Sequence, residues 1–348
     1  MAPAVEAVRV PSPLGLGPLD GTWEALAAAG GVRHTGATAA WLRAWIAVYR
    51  PPALLALEVR DAGEPIAAGL VAPSLGGRWR FAGSPVTPHR TLVCRPGHEA
   101  AAWEALRGWL RSHARTFSEL DVEGVDPGTI GVAGARAESH PSYALELPPT
   151  LDALLASRSR NSRQQLGKKR RRFARAGGEV VPVAPPDLGP ALRRLVDLHQ
   201  RRAAARGERH EAVDDRFAAL LLALAADGGL PVHAHEARLD GEVLAVGVAV
   251  DCGATTEYLQ TGLDPARAEL SPGVLLALGV AEAAMQRGAR RLDLGPGEYR
   301  YKRDIGGTPA PHWRVILPSR SARGLLLRAA RAARRPGAQA SRPARVAT

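Results

Sequence analysis

The stretch from Val232 to Lys302 constrains the fold more than any other part of the sequence. Two segments rich in Val and Ala flank Asp240-Gly241, a dipeptide that favours the positive φ angles of a tight hairpin turn. A third strand pattern follows, and Ser271 then predicts the N-cap of an apolar helix that ends at Gly288. A short strand, ARRLDL, comes next. This order predicts an α/β (α+β) unit with a mixed, mostly antiparallel sheet flanked by helices.

A similar pattern occurs in the first half of the chain. A predicted hairpin around Asp61-Ala-Gly63 is followed by a strand, a helix and a short strand that contains Leu120-Asp121, as the later one contains Leu292-Asp293. The repeated order predicts tandem lobes, the first of them degenerate. The predicted divisions are a loose N-terminal arm with one short helix, a degenerate lobe, a second lobe that carries the activity, and a basic disordered tail, at residues 1–33, 34–148, 149–318 and 319–348.

Composition narrows the class of protein. No run of the sequence approaches the ~20 apolar residues of a membrane-spanning helix, and the N-terminus lacks the apolar core of a signal peptide. The two cysteines, Cys94 and Cys252, are far apart and lack metal-ligand spacing. These features predict a cytoplasmic protein with neither a disulfide framework nor a zinc site.

The net charge of +12 is unevenly distributed. Residues 319–348 contain eight Arg and no acidic residue, which is typical of a solubilising disordered tail. The segment GLLLRAARAARR can also form a basic amphipathic helix that contacts anionic lipid, nucleic acid or an acidic partner. The tail therefore leaves association with a membrane surface open.

A second basic segment lies inside the second lobe. One helix is predicted from Leu151 onward, and Arg158–Arg175 contains nine Lys or Arg and no acidic residue. A solvated helix is the simplest interpretation. Because like charges repel at helical spacing, contact with a polyanion, such as a phosphorylated cofactor, a tRNA or an anionic glycan, is the alternative.

The ordered set of these elements resembles the CelD/BcsL-like branch of the GNAT acyltransferase superfamily, which is related to FemABX-type peptidyltransferases. The resemblance covers residues 142–318 well and the first lobe more weakly. It rests on the basic helix and on Leu198-His199 with Arg202, Phe217, the Leu-Asp-Gly hairpin, Tyr258, Ser271-Pro-Gly273, Leu292-Asp-Leu294 and Tyr301-Lys302.

The resemblance implies tandem GNAT-like units that transfer an acyl group from acetyl-CoA, another acyl-CoA or an aminoacyl-tRNA to an amine or hydroxyl. It also implies that the loop Gly262–Gly273 binds the donor's pyrophosphate at a helix N-terminus. Here the loop is longer than the family signature, and Pro272 removes one N–H donor. The predicted donor-binding residues are Gln260, Thr261, Gly262, Ser271, Gly273, Val274 and Lys302.

Candidate catalytic residues are expected at the mouth of the second lobe. Asp293 is predicted to orient the acceptor or take its proton, unless it only supports a turn, and His199 is either the base or a satisfied core histidine. In the loop after Gly295-Pro-Gly, Tyr299 is predicted to protonate the leaving thiolate, with Glu298 beside it and Lys302 neutralising a phosphate or carboxylate. His233 and His235 share a strand face, but without a third ligand nearby they do not predict a metal site.

Three functions remain open at this stage. The first is an acyl-CoA-dependent N- or O-acyltransferase acting on a sugar, a polysaccharide precursor or a small amine. The second is a FemABX-like transferase that uses aminoacyl-tRNA, with the basic helix and tail on RNA phosphates. The third is a non-catalytic GNAT-like module that binds a glycan or protein.

Overall fold

The computed structural model describes residues 3–10, 16–73, 77–113, 117–131, 135–205, 207, 212–319 and 321–333. The chain forms two compact units, which are not consecutive in sequence. Unit 1 comprises Met1–Val32, Arg50–His140 and His312–Thr348, and unit 2 comprises Arg33–Tyr49 and Pro141–Pro311. The predicted boundary at residue 148 is therefore wrong in detail, because the helix that follows Arg33 joins the second unit.

The chain has an α+β fold, and its strands and helices are divided between the two units. In chain order the strands are β1 (Ala4–Val10), β2 (Leu54–Asp61), β3 (Glu64–Pro73), β4 (Arg78–Phe81), β5 (Val93–Cys94), β6 (Glu119–Glu123), β7 (Arg136–Glu146), β8 (Gly178–Pro182), β9 (Val232–Leu239), β10 (Glu242–Cys252), β11 (Thr255–Leu263), β12 (Arg291–Pro296) and β13 (Thr308–Pro318). The helices are α1 (Asp20–Ala28), α2 (Ala39–Tyr49), α3 (Glu99–Ser112), α4 (Pro127–Ile130), α5 (Leu151–Ala156), α6 (Arg160–Arg175), α7 (Leu188–Ala205), α8 (Asp215–Asp227), α9 (Pro272–Gln286), α10 (Arg300–Asp304) and α11 (Ala322–Ala333).

Unit 1 is built on a sheet in the order β1-β2-β3-β4-β6-β13, with β5 beside β3. Its pairs are antiparallel except β4 and β6, which are parallel and joined by a crossover containing α3. Aromatic side chains fill the core between α3 and the sheet, where the rings of Phe81 and Trp103 meet edge to face with centroids 6.3 Å apart.

The loose arm predicted for residues 1–33 is wrong for its first part. Ala4–Val10 forms β1, which pairs with β2 from Ala4 opposite Arg60 to Val10 opposite Leu54. The alternating sequence AVEAVRV suits a strand, and its pairing covers the edge that β2 would otherwise expose. The short helix predicted in this region is present as α1.

Unit 2 has a sheet in the order β7-β12-β11-β10-β9-β8, in which β11 and β12 are the parallel pair. The predicted hairpin is confirmed, with positive φ at Asp240 and Gly241. Glu236 of β9 contacts Arg194 of α7, whereas the next residue, Ala237, packs against α9. Since successive strand residues point to opposite faces, α7 and α9 cover opposite faces of this sheet.

The single helix predicted from Leu151 is interrupted. The structure has α5 and α6 instead, because the Ser159 hydroxyl accepts a hydrogen bond from the Ser162 N–H (3.2 Å) and starts a new helix there. Leu166 and Phe173 form the buried stripe of α6. Seven of the nine basic side chains between residues 158 and 175 are exposed, so the rest of the helix surface is cationic.

The two units repeat one element order, which confirms the tandem prediction. In unit 1, β4 and β6 are parallel and flank α3, and in unit 2, β11 and β12 are parallel and flank α9. Asp121 of β6 lies opposite Arg80, and Asp293 of β12 lies opposite Glu257. Within the described residues, no helix is both long and apolar enough to cross a membrane.

The tail predicted as disordered contains α11, whereas residues 334–348 lie outside the described part of the chain. The helical pattern of GLLLRAARAA explains α11, because Leu, Arg and Ala are strong helix formers.

Gly262 allows α7 to approach the sheet closely. A Cβ at this position would lie 2.5 Å from the Leu195 carbonyl oxygen and 3.0 Å from Leu198 Cβ. We expect Gly262→Ala to lower the free energy of unfolding by about 1.5 kcal/mol, since a helix backbone must move. Gly108→Ala on α3, where the nearest atom belongs to the end of the Arg111 side chain 3.7 Å away, is the control and should be neutral or stabilising. Equal denaturant midpoints for both variants would contradict this packing account.

Candidate functional site

The parallel strands β11 and β12 pair only briefly. Their register runs from Thr255 opposite Arg291 to Glu257 opposite Asp293, and it stops there. β11 then continues along β10 to Leu263, whereas the end of β12 pairs with β7. The separation leaves a wedge-shaped gap between residues 258–263 and residues 294–296, which we call the cleft.

A β-bulge on β11 directs the strand away from β12. Tyr258 lies opposite Ala249 and Gln260 lies opposite Val248, so Leu259 is an extra residue. A bulge bends its strand and increases the twist. Here it also brings Thr261 and Tyr258 together, and the Thr261 hydroxyl donates a hydrogen bond to the Tyr258 hydroxyl (2.7 Å).

Two buried carboxylates mark the vertex of the cleft. Asp293 is 9% exposed and Glu257 4%. Asp293 Oδ1 accepts a hydrogen bond from the Gly295 N–H (2.7 Å), and Glu257 Oε1 accepts one from the Thr35 N–H (2.9 Å). His34 Nδ1 lies 3.3 Å from the same Glu257 oxygen, so a partly exposed imidazole contacts one of the two carboxylates.

Burial raises the pKa of Asp293, and the nearby charge of Glu257 raises it further, against the opposing effects of the Gly295 N–H and of His34. An aspartate with a raised pKa is a stronger proton acceptor than an exposed one. The vertex therefore provides a carboxylate suited to general-base chemistry.

Helix α7 reaches both sides of the cleft. His199 Nδ1 lies 3.5 Å from the Thr261 carbonyl oxygen on β11. One turn later, the Arg202 guanidinium lies 5.7 Å from the centroid of the Tyr299 ring, which follows β12. Tyr299 is 40% exposed, so its phenol is accessible at the mouth of the cleft.

The structure does not support the predicted phosphate-binding role of Lys302. This side chain is 1% exposed, and its Nζ donates hydrogen bonds to the carbonyl oxygens of Gly295 (2.8 Å) and Pro296 (2.9 Å). Burial lowers its pKa to about 8, although Asp293 acts in the opposite direction. Lys302 instead holds the bend after β12, with the rings of Tyr143 and Tyr299 nearby.

Glu298 was also predicted as a site residue, and the structure gives it another partner. Its carboxylate accepts a hydrogen bond from Arg303 (2.5 Å), and both side chains are more than half exposed. Exposed ion pairs of this kind contribute little to stability, and a catalytic role of Glu298 stays a prediction.

The start of α9 differs from the predicted pyrophosphate site. Ser271 occupies the N-cap position in the left-handed conformation (φ 58°) without a side-chain cap. Its carbonyl oxygen accepts hydrogen bonds from Val274 (3.1 Å) and Leu275 (3.3 Å), and Pro272 has no N–H. The N–H groups of Ser271 and Val274 bond to backbone carbonyl oxygens. Of the predicted phosphate-binding residues in this turn, Gly273 is therefore the one whose N–H can point to a phosphate. Gln260 and Thr261 lie on β11 beside the cleft, and their role in donor binding stays a prediction.

Sequence reasoning missed several residues at the cleft. Tyr143 and Tyr258 are buried around its apolar side, and burial raises the pKa of Tyr258. Glu257 could have been found as an acidic residue within a buried strand. His34 could not, because it lies 223 residues away in sequence from its partner Glu257.

The histidine pair of β9 lies apart from the cleft. His233 Nε2 is 2.8 Å from Asp251 Oδ2, and Arg287 binds the same carboxylate (2.9 Å). His235 is buried, and burial, followed by the charge of Arg287, lowers its pKa to about 4. His235 is therefore neutral at physiological pH.

In unit 1 an arginine holds the carboxylate at the equivalent position. Arg314 binds both oxygens of Asp121, with Nε 2.9 Å from Oδ1. Burial alone would raise the pKa of Asp121, but the hydrogen bonds and charge of Arg314 hold it below the usual value. A carboxylate paired in this way is a poor base, and the degeneracy of the first lobe stays a prediction.

Part of the chain matches a family model, and several solved structures share its fold. Residues 160–303 match the family model described as an acetyltransferase (GNAT) domain. FemX (TM-score 0.55, 12% identity) is similar over 78% of this chain and 90% of its own. L-PGS from Bacillus licheniformis (TM-score 0.55, 13% identity) is similar over 91% of this chain and 98% of its own. A tandem GNAT protein from the clavulanic acid biosynthesis pathway (TM-score 0.52, 17% identity) is similar over 91% of this chain and 100% of its own.

No curated protein sequence matches the chain. At these identities the solved structures show the fold alone. The family-model match bears out the resemblance to the GNAT superfamily over residues 160–303, and FemX and the tandem GNAT protein share the fold. Assignment to the CelD/BcsL-like branch stays a prediction.

Proposed function

We propose that this chain, whose second unit carries a GNAT domain, transfers an acyl group from an acyl-CoA to an amine or hydroxyl of a sugar, a polysaccharide precursor or a small amine. The observation that carries the proposal is the cleft. Two parallel strands separate directly after a buried carboxylate, Asp293, and an accessible phenol, Tyr299, stands at the mouth. A donor that enters between the strands would bring its carbonyl carbon close to both groups.

The chemistry follows from these two side chains. Asp293 takes a proton from the attacking nitrogen or oxygen, directly or through a water molecule, as the new bond to the carbonyl carbon forms. Beyond Glu257, the edge of β11 is not paired with β12, so its main-chain N–H groups are available to stabilise the developing oxyanion. Tyr299 donates its proton to the leaving sulfur.

The donor could instead be an aminoacyl-tRNA, and two observations favour this second candidate. The start of α9 leaves few N–H groups for a pyrophosphate, as described above. Exposed basic side chains cover most of α6, where a nucleic acid backbone would find charge complementarity. The resemblance to FemABX-type transferases implies such a donor, and FemX has a similar fold.

A thermal-shift comparison tests the donor. We expect acetyl-CoA or a longer acyl-CoA to raise the unfolding midpoint by mass action, since these ligands bind only the folded chain. A bulky replacement, Gly273→Val, should abolish the rise. If millimolar thioesters cause no rise, and aminoacyl-tRNA binds with a steep dependence on salt, the acyl-CoA proposal fails and the second candidate replaces it.

A further inference from the structure

Helix α11 exposes an apolar face. Leu325 is 56% exposed and Leu326 70%, although large apolar side chains usually find cover in a folded chain. Residues at positions three and four apart share one face of a helix. Among the residues of α11 whose side chains the structure describes, the exposed ones follow this spacing: Ala322, Leu325, Leu326, Ala329 and Ala330.

The same helix lies in the most basic part of the sequence. Residues 319–348 contain eight Arg and no acidic residue. Three of these arginines belong to the twelve residues of α11. At 1.5 Å per residue the helix is about 18 Å long, too short for the ~30 Å hydrocarbon core of a bilayer. Its composition is that of a helix that lies in the plane of an interface.

We propose that α11 binds the surface of an anionic phospholipid bilayer, with its apolar face inserted and its arginines at the headgroups. The apolar face decides between lipid and nucleic acid. A nucleic acid would satisfy the arginines through its phosphates but would leave Leu325 and Leu326 in water. A bilayer surface satisfies both, because long basic side chains extend to the headgroups while apolar side chains enter the acyl region. The inference is independent of the proposed acyl transfer.

Vesicle sedimentation with the full-length protein tests this inference. We expect binding to phosphatidylcholine vesicles that contain about one-third phosphatidylglycerol, weaker binding at high salt, and little binding to pure phosphatidylcholine. Leu325→Ser/Leu326→Ser should weaken binding at least about tenfold, since two leucines no longer insert. Leu222→Ser is the matched control, because Leu222 is another exposed leucine (40%) but lies on α8.

Three outcomes would overturn the inference. They are equal binding by wild type and the double variant, equal binding to neutral and anionic vesicles, and loss of binding in the Leu222→Ser control. A second measurement does not depend on the stability of the double variant. A polarity-sensitive dye on Leu326→Cys should shift to the blue with phosphatidylglycerol vesicles, and an unchanged spectrum would contradict insertion of this face. A shift produced by tRNA alone would show that a nucleic acid covers the face instead.

Discussion

Asp293→Asn is expected to reduce acyl transfer by about 100- to 1,000-fold, the usual contribution of a positioned general base. Asparagine keeps the oxygen that accepts the Gly295 N–H (2.7 Å), so the bend after β12 should be preserved. It cannot take a proton from the acceptor. The measurement is thiol release from the acyl-CoA that stabilises the protein, in the presence of amino sugars and small amines.

Two further readouts separate a catalytic from a structural role for Asp293. The pKa of Asp293 is raised in the folded protein, so its ionised carboxylate lowers the free energy of unfolding at neutral pH. The free energy of unfolding falls as pH rises from the pKa of Asp293 in the unfolded chain to its pKa in the folded protein. Asp293→Asn should therefore unfold no more easily than wild type at pH 7. The rise of activity with pH that follows ionisation of Asp293 should also disappear in the variant.

Asp126→Asn is the matched control for this substitution. Asp126 Oδ1 also accepts the N–H two residues later, that of Gly128 (2.7 Å), but it caps a short helix of unit 1. The activity of the Asp126→Asn variant should match that of wild type. If Asp293→Asn retains activity within about threefold, the residue is not the base.

The sequence predicts the elements of unit 2 well because their signals are local. Asp240-Gly241 determines a hairpin through backbone φ alone, and the apolar run after Pro272 determines a helix. The order of these elements then limits the topology. Asp293 lies within β12 and Tyr299 just beyond it, and their role as site residues stays a prediction.

What the sequence could not predict depends on tertiary geometry. The bulge at Leu259 leaves no composition signal, yet it moves β11 away from β12 and opens the cleft. His34 meets Glu257 only in the folded unit. The sequence predicts a polar loop after Gly295-Pro-Gly, in which Lys302 neutralises a phosphate or carboxylate. The structure turns Lys302 inward, because two carbonyl oxygens of that bend need donors.

The burial of Lys302 has a large consequence for the dependence of stability on pH. Its pKa falls from 10.5 in the unfolded chain to about 8 in the folded one. Between these values the unfolded state binds more protons, so the contribution of Lys302 to the free energy of unfolding increases with pH. We expect the free energy of unfolding of wild type, relative to that of Lys302→Met, to increase by about 2–3 kcal/mol between pH 7 and pH 10.

The prediction concerns the difference in free energy of unfolding between wild type and Lys302→Met, because other groups also change the stability of each protein with pH. Burial raises the pKa of Cys94 to about 12 and that of Cys252 to about 11, and these thiols lower stability as pH rises above the pKa of an unfolded cysteine. Both thiols are present in wild type and variant, so their effect cancels in the difference. Lys168→Met removes an exposed lysine of α6 and is measured alongside as the control for the loss of a lysine. A difference for Lys302→Met that does not change with pH, measured by urea unfolding at each pH, would mean that the ammonium group of Lys302 is solvated in the folded protein. The bend that positions Tyr299 would then need another support.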